Sequence, residues 1–481
     1  MKDNLSFRKN VTIVSLGPVI STILAFFAEP WIARFWEPYV FGTVTYYNSI
    51  ILVISPLLFL RYNFAIVQAK TDREAHNLLA LSLIIMVMMI LLILIFFNLF
   101  DSLTGDIISL EPIRSIFVTV ITMASLSLLL KFWYTRKKRF IHLTLATIIL
   151  QASYTIMLLI VGRSGETTEG NILLIRNISY ILAPVLMIIA FLRNDLSSFT
   201  RNISLEGLLR VLKDFKKFPL YELWGYASSI FAFNIAIILI TKYWGQTVNG
   251  LFSKAFFLLY LFIIFLGESI NRVLHKEVSD MVNRKEDPSG FLVKLVSSLA
   301  MVSILPFAFV VAAGPELFSV FLGERWTESG IFAQYLSIWM YILLISTSVR
   351  SLFGVLNKQL QSTIFMVSLF ISRTVILIYA GMNQLDVFNT VLIFSIVSFI
   401  IILLKINYIM SVAGGKGKMI VKKIVFNIAQ VIPLIVIVDM FRRFLTDDRF
   451  ILLGVTAILC LPYLYYYLKK SSILLMLFKK R

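Results

Sequence analysis

Fourteen long apolar stretches leave this chain few folds to choose from. Read from hydropathy, they occupy 11–29, 39–60, 79–100, 113–131, 140–161, 171–192, 219–241, 250–270, 291–313, 330–349, 359–380, 386–405, 423–440 and 450–468. About 20 apolar residues is the length that carries a helix across the hydrocarbon core of a bilayer. Backbone amides and carbonyls in lipid must be paired within the segment, so each stretch is read as a transmembrane helix. The 481 residues are 59% hydrophobic and only 15% charged, which excludes a water-soluble chain of this size. The fold class expected is an all-α membrane protein of about 14 transmembrane helices. The start, MKDNLSFRKN, lacks a small-residue cleavage site, so the first apolar run is read as a retained helix.

Residues 215–250 repeat the start of the chain. At an ungapped offset of 208, Phe215 falls on Phe7, Lys217 on Lys9, Gly225 on Gly17, Ser229 on Ser21, Trp244 on Trp36 and Gly250 on Gly42. Lys216 on Arg8 and Lys242 on Arg34 keep the charge. Matched Trp and Gly weigh more than matched Leu or Ile, which any apolar segment supplies. The chain is therefore read as built twice: 1–192 an N-terminal six-helix lobe, and 219–405 its pseudo-two-fold copy. A cytoplasmic amphipathic linker, 193–218, joins them, and 406–481 adds a further helix pair. Both copies start on the same side, so their axis runs along the membrane normal, with the substrate path expected between the halves. Within the linker, Leu205, Leu208, Leu209, Leu212 and Phe215 share one helical face, and Ser204 is placed to cap the start. Arg210, Lys213, Lys216 and Lys217 fall elsewhere, so the helix is expected to lie on the inner membrane surface, as tether or regulator.

Charge sets the orientation. Of 45 Lys and Arg, 34 fall on the side of the N-terminus, eight on the other side, and three within spans: Arg176, Lys254 and Arg373. The positive-inside rule then places both termini in the cytoplasm. It also points most of the net +19 at the anionic lipids of the inner leaflet rather than at nucleic acid. Trp31, Trp36, Trp133, Trp224, Trp244 and Trp326 lie near span ends, where an interfacial aromatic belt is expected.

Catalytic signatures are absent. His76, His142 and His275 are scattered without ligand spacing, and the one cysteine, Cys460, excludes a disulfide or a cysteine-based metal site. AGGKGKM lacks both the spacing of a phosphate loop and a preceding strand. No metal, no cofactor and no enzymatic activity are expected. What remains is charge in costly places. Arg373 lies about 21 Å along its span from the inner end, too deep to snorkel easily, so it faces protein or water. Lys254 and Arg176 lie about one turn below the outer face. Arg34 and Lys242 form a two-fold-related cationic pair at the outer rim. Gln151, Tyr154 and Asn234 are mid-span polar groups that either bind sugar hydroxyls or bridge helices. A path lined with Arg and Lys points to an anionic cargo, and the guanidinium fork suits phosphate oxygens. At each position the structural alternative is a bond to a neighbouring carbonyl or carboxylate.

LRYNFAIVQAKTDREAHNLLALSL at 60–83, ARFWEPYVFG at 33–42, KKFPLY at 216–221, GLFSKAFFLL at 250–259 and FLGERWTESG at 321–330 resemble the polysaccharide-transporter family. These are the Wzx-type flippases of lipid-linked oligosaccharides, in the superfamily that also holds drug/cation antiporters and lipid II flippases. The resemblance, running from about Arg8 to Lys405, implies two six-helix lobes around a cationic cavity in a bacterial cytoplasmic (inner) membrane. It implies translocation of an undecaprenyl-diphosphate-linked oligosaccharide for surface polysaccharide biosynthesis. A polysaccharide polymerase and glycosyltransferases are the further partners it brings in. On that reading the diphosphate pairs with Arg34, Lys242, Lys254 and Arg373, and with Arg176. Glu29, Glu222 and Glu268 are then candidate proton carriers. The family usually has an acidic residue where this chain has Asn63, which leaves any role of that carboxylate unassigned. The last helix pair also exceeds the commoner twelve-helix form. Three alternatives stay open: a cation-coupled drug antiporter, which expects an acidic cavity; a membrane enzyme of polysaccharide assembly, which expects large outer loops; and a pseudo-transporter acting as an assembly scaffold, which expects binding without transport.

Overall fold

The computed structural model of the chain describes residues 2–99, 114–414 and 416–470. The outer segment 100–113 and the terminal cations Lys479, Lys480 and Arg481 lie outside the described residues. Every regular element among those residues is helical. In order they are α1 (Lys2–Phe35), α2 (Pro38–Leu57), α3 (Tyr62–Gln68), α4 (Asp72–Leu99), α5 (Arg114–Arg136), α6 (Phe140–Ser164), α7 (Glu169–Asn194), α8 (Leu196–Asn202) and α9 (Leu205–Asp214). A π-turn (Phe218–Glu222) leads into α10 (Leu223–Phe262), and a second (Ile263–Gly267) into α11 (Glu268–Asn283). Then follow α12 (Ser289–Leu322), α13 (Thr327–Ser348), α14 (Leu352–Val355), α15 (Gln359–Met382), α16 (Val387–Val412), α17 (Gly417–Phe444) and α18 (Arg449–Lys470).

Thirteen stretches among the described residues are long and apolar enough to cross a membrane. One of them, Phe218–Asn283, runs 66 residues and is broken at Gly245, with φ 89° and ψ 173°. A residue with a Cβ is strained at such a φ, and glycine is not. Taken as two crossings, that stretch brings the total to fourteen, the number read from hydropathy. Gly245 lies 208 residues beyond Glu37, in the gap between α1 and α2, so both repeats break at the same point.

The chain forms two compact units: residues 1–36 with 46–234, and residues 37–45 with 235–481. Each unit takes in a short piece of the other repeat. The first turns of α2, Glu37–Thr45, belong with the second unit, and the start of α10 belongs with the first. The reason is a glycine crossing within the second unit. A methyl group at Gly42 would overlap the carbonyl oxygen of Gln246, and one at Gly250 would overlap that of Pro38. Pro38 and Gln246 are themselves 208 apart, so the contact is reciprocal, as a local two-fold requires. Thr43 Oγ1 donates to Gln246 Oε1 at 2.8 Å, and Asn249 Nδ2 to the Gly42 carbonyl at 2.9 Å. Small residues permit this backbone approach, which packing and hydrogen bonds then hold in the absence of a hydrophobic drive.

The repeat also places matching tryptophans. Trp36 donates its indole N–H to the Leu158 carbonyl in the first unit, and Trp244 donates to that of Leu385 in the second, both at 3.0 Å. The aromatic belt is only partly as read. Trp31 and Trp224 are exposed, whereas Trp36, Trp133 and Trp326 are fully buried. Hydropathy fixes a residue's height along a span; its direction around the helix depends on the neighbours.

The motif at 60–83 has a structural use. Thr71 Oγ1 accepts the Glu74 N–H at 3.1 Å while Glu74 accepts the Thr71 N–H at 3.3 Å, a capping box at the start of α4, and also the Lys70 N–H at 2.8 Å. Asp72 pairs with Arg136 and Lys137, both at 3.2 Å. Asn77 donates to the Asn202 carbonyl at 3.1 Å and accepts the Ser204 N–H at 3.2 Å. TDREAHN therefore fastens the linker helices α8 and α9 to α4. As read, Ser204 caps α9, accepting the Gly207 N–H at 3.1 Å. The extra pair, α17 and α18, packs within the second unit on α12. There Arg442 grips Glu316 through Nε at 2.9 Å and Nη2 at 3.0 Å.

Candidate functional site

Along α2 the first unit holds two guanidinium groups, Arg61 buried beyond its inner end and Arg176 half-buried beside its middle. At the inner end, α2 stops at Leu57, and Leu60 (φ 46°) and Arg61 (φ 67°) take left-handed backbone before α3 begins. Two consecutive non-glycine residues in that region are strained, and such strain gathers at functional sites. The bend turns Arg61 inward until it is only 7% exposed. Its guanidinium lies 3.8 Å from the Tyr226 ring centroid and 4.7 Å from that of Phe64. Arg61 Nε is buried without a hydrogen-bond partner, and Glu222 interacts with the guanidinium only through its field. Phe64 also meets Phe218, with ring centroids 6.2 Å apart. RYNFAIV and the segment 218–226, far apart in sequence, thus meet around one cation.

The second group is Arg176 on α7. Its Nη2 donates to Asn48 Oδ1 at 2.9 Å and to Tyr180 Oη at 3.3 Å. Its guanidinium lies 4.6 Å from the Tyr154 ring centroid and 4.7 Å from that of Tyr180. Tyr180 donates in turn to Asn48, and Tyr47 donates to Asn177 Oδ1 at 2.8 Å. These partners are an amide and two phenols; none is a carboxylate among the described residues. Aromatic faces and amides hold a cation in place without neutralising it. Glu29 is buried on α1 and acts electrostatically on Tyr154. Asn48 lies nine residues before the end of α2 at Leu57, about 13 Å of helix, with the Leu60–Arg61 bend beyond it.

The other residues singled out by sequence are distributed. Gln151 donates to Thr155 Oγ1 at 3.1 Å on the same helix as Tyr154. Asn234 is satisfied on its own helix, donating to the Ile230 carbonyl at 2.9 Å. Arg34, exposed in the first unit, donates to the Pro30 carbonyl at 3.1 Å. Lys242 is exposed in the second unit, 5.6 Å from the ring of its neighbour Tyr243. Lys254 is buried, with Nζ 3.4 Å from the Phe41 centroid and 4.7 Å from that of Trp326. Arg373 is 1% exposed, lies 4.2 Å from the Trp339 centroid and 4.6 Å from that of Phe394, and donates from Nε to Ser398 Oγ at 2.9 Å. Glu222 is exposed near Arg61, and Glu268 pairs with Arg350 at 3.0 Å.

Of that set, the structure gathers Arg176 and Glu29 around Tyr154. Sequence reasoning missed Arg61, Asn48, Tyr180 and Tyr226. Hydropathy ends the second span at 60, which places Arg61 with the inner loop. Its place inside an aromatic-rich motif was the available signal, and Asn48 was visible as a lone amide in an apolar run. No three His, Cys, Asp or Glu side chains group as a metal site among the described residues.

Comparison with known proteins agrees with the resemblance read from the motifs. The profile of a family described as polysaccharide biosynthesis protein matches residues 31–330. Among solved structures, the fold is similar to that of the lipid II flippase MurJ in an inward closed conformation. The TM-score is 0.70 at 12% identity, over 96% of this chain and 98% of that one. It is also similar to an inward-facing multidrug resistance MATE family transporter of the MOP superfamily, with a TM-score of 0.56 at 14% identity, over 86% of this chain and 98% of that one. No curated protein matches the sequence. At these identities the likeness is one of fold.

Proposed function

Since the chain belongs to the polysaccharide biosynthesis protein family, we propose that this multi-span membrane protein is a flippase for an isoprenoid-diphosphate-linked oligosaccharide. It acts by alternating access in a bacterial cytoplasmic membrane, with both termini in the cytoplasm, and serves surface polysaccharide synthesis. It is a transporter, not an enzyme. The observation that carries the proposal is Arg176, a cation on a membrane-length helix whose direct partners are an amide and two phenols. A diphosphate supplies an anion in direct contact, which the amide and phenol partners of Arg176 do not, and the rings of Tyr154 and Tyr180 with Gln151 offer faces and hydrogen bonds suited to sugar. Arg61, at the basic end of the spans, receives the diphosphate first; Arg176 receives it deeper. Neither binds through a fixed carboxylate that cargo would have to displace, so the anion is recruited without being trapped. Exposed Arg34 and Lys242 extend the positive field to the outer span ends. Lys254 and Arg373, enclosed by aromatic rings, act chiefly through packing. Glu29, which is buried on α1, and Glu222 and Glu268 are the carboxylates proposed as proton carriers.

The test is transport of a fluorescent undecaprenyl-diphosphate oligosaccharide across reconstituted vesicles. A hydrogen bond to a charged group contributes about 1.5–3 kcal/mol, so Arg176→Gln and Arg61→Gln should each lower transport roughly ten-fold or more. Arg176→Lys should retain part of it, because the charge stays while the fork is lost. Full transport by Arg176→Gln would sink the proposal. The likeness to a MATE transporter keeps a drug antiporter as the second reading. That reading expects Glu29→Gln to abolish drug resistance in cells while Arg176→Gln leaves it intact.

A further inference from the structure

The linker helix α9 has three faces where an ordinary surface helix has two. One packs on the protein: Val211 is buried, Gly207 lies against the Asn77 side chain, and the Leu212 carbonyl accepts the Tyr62 hydroxyl at 3.1 Å. A second is polar, with Glu206 and Arg210 paired at 2.7 Å beside exposed Lys213 and Asp214. The third is a row of leucines turned away from the protein: Leu205 is 74% exposed, Leu209 59% and Leu212 42%. At 100° per residue these three fall within an arc of about 60°. The protein face is already occupied, so nothing in the first unit covers the row.

Charge and height identify what does. Residues 201–217 carry five basic side chains against two acidic ones. Lys216 and Lys217 continue the basic edge and are exposed. Tyr221 and Trp224, at the start of the next membrane helix, are also exposed, which is where aromatic side chains mark the headgroup level. We propose that α9 is a docking surface for the anionic phospholipids of the inner leaflet. Its leucine row enters the acyl boundary, and Arg210, Lys213, Lys216 and Lys217 meet the phosphate groups. Docking also steadies the helix bound by Tyr62, the neighbour of Arg61. The proposal does not depend on the identity of the cargo.

The test uses the full chain with Cys460→Ser and Leu209→Cys, labelled with an environment-sensitive dye. The protein is reconstituted in phosphatidylcholine alone, or with a quarter phosphatidylglycerol. Quenching by lipids with a spin label near the headgroup reports whether position 209 lies in the bilayer. Each basic residue at an anionic surface shifts the bound-to-free ratio about five-fold. Quenching should therefore rise when phosphatidylglycerol is added, and Arg210, Lys213, Lys216 and Lys217 all changed to Gln should remove the rise. These four side chains are exposed, so the variant should fold. A dye that stays in water, quenching unaffected by phosphatidylglycerol, or a rise that survives the four substitutions would each overturn the proposal.

Discussion

Gly250→Ala is expected to destabilise the protein by about 3 kcal/mol or more, and Gly250→Val to prevent folding. The sign is not obvious, because alanine in a helix interior gains up to about 1 kcal/mol over glycine. The contact decides it. The added methyl would meet three backbone atoms, the Pro38 carbonyl oxygen and carbon and the Gly42 nitrogen, and a backbone cannot step aside as a side-chain tip can. Gly42→Ala should cost as much, since it meets the Gln246 carbonyl in the mirror contact. The double variant should cost less than the sum, because either methyl alone already forces α2 and α10 apart. Thermal unfolding in nanodiscs measures this. Gly290→Ala and Gly454→Ala are the controls: nothing lies within 4 Å of a Cβ there, so the midpoint should hold or rise. If Gly250→Ala melts with the controls, the reciprocal crossing does not exist.

Arg373→Ala and Arg373→Met should part company. Alanine leaves a cavity between Trp339 and Phe394 and deprives Ser398 of its partner, a loss of about 3–5 kcal/mol. Methionine refills most of that volume with a polarisable chain that suits aromatic neighbours, and a buried charge exchanged for a well-packed apolar group is often nearly neutral. The Met variant should therefore melt within about 1.5 kcal/mol of the parent. In vesicles it should transport at close to the parental rate per folded molecule. A Met variant that is stable but inactive would move Arg373 from the packing of α13, α15 and α16 to the handling of cargo.

The sequence by itself determined the helix count, the duplication and the linker helix, because each is written in quantities that survive without a partner. Apolar length sets a crossing, an ungapped offset of 208 aligns Trp36 with Trp244 and Gly42 with Gly250, and a leucine arc with Ser204 ahead of it defines an amphipathic helix. Tertiary structure alone decided which cations face what. Arg373 and Lys254 looked exceptional in a linear reading and turned out enclosed by rings, while Arg61, counted with a loop, is turned inward by two left-handed residues. Hydropathy encodes how deep a residue lies, but not its bearing around the helix axis. That bearing comes from packing: from Gly42 meeting Gln246, and from Tyr226 reaching Arg61 across 165 positions of chain.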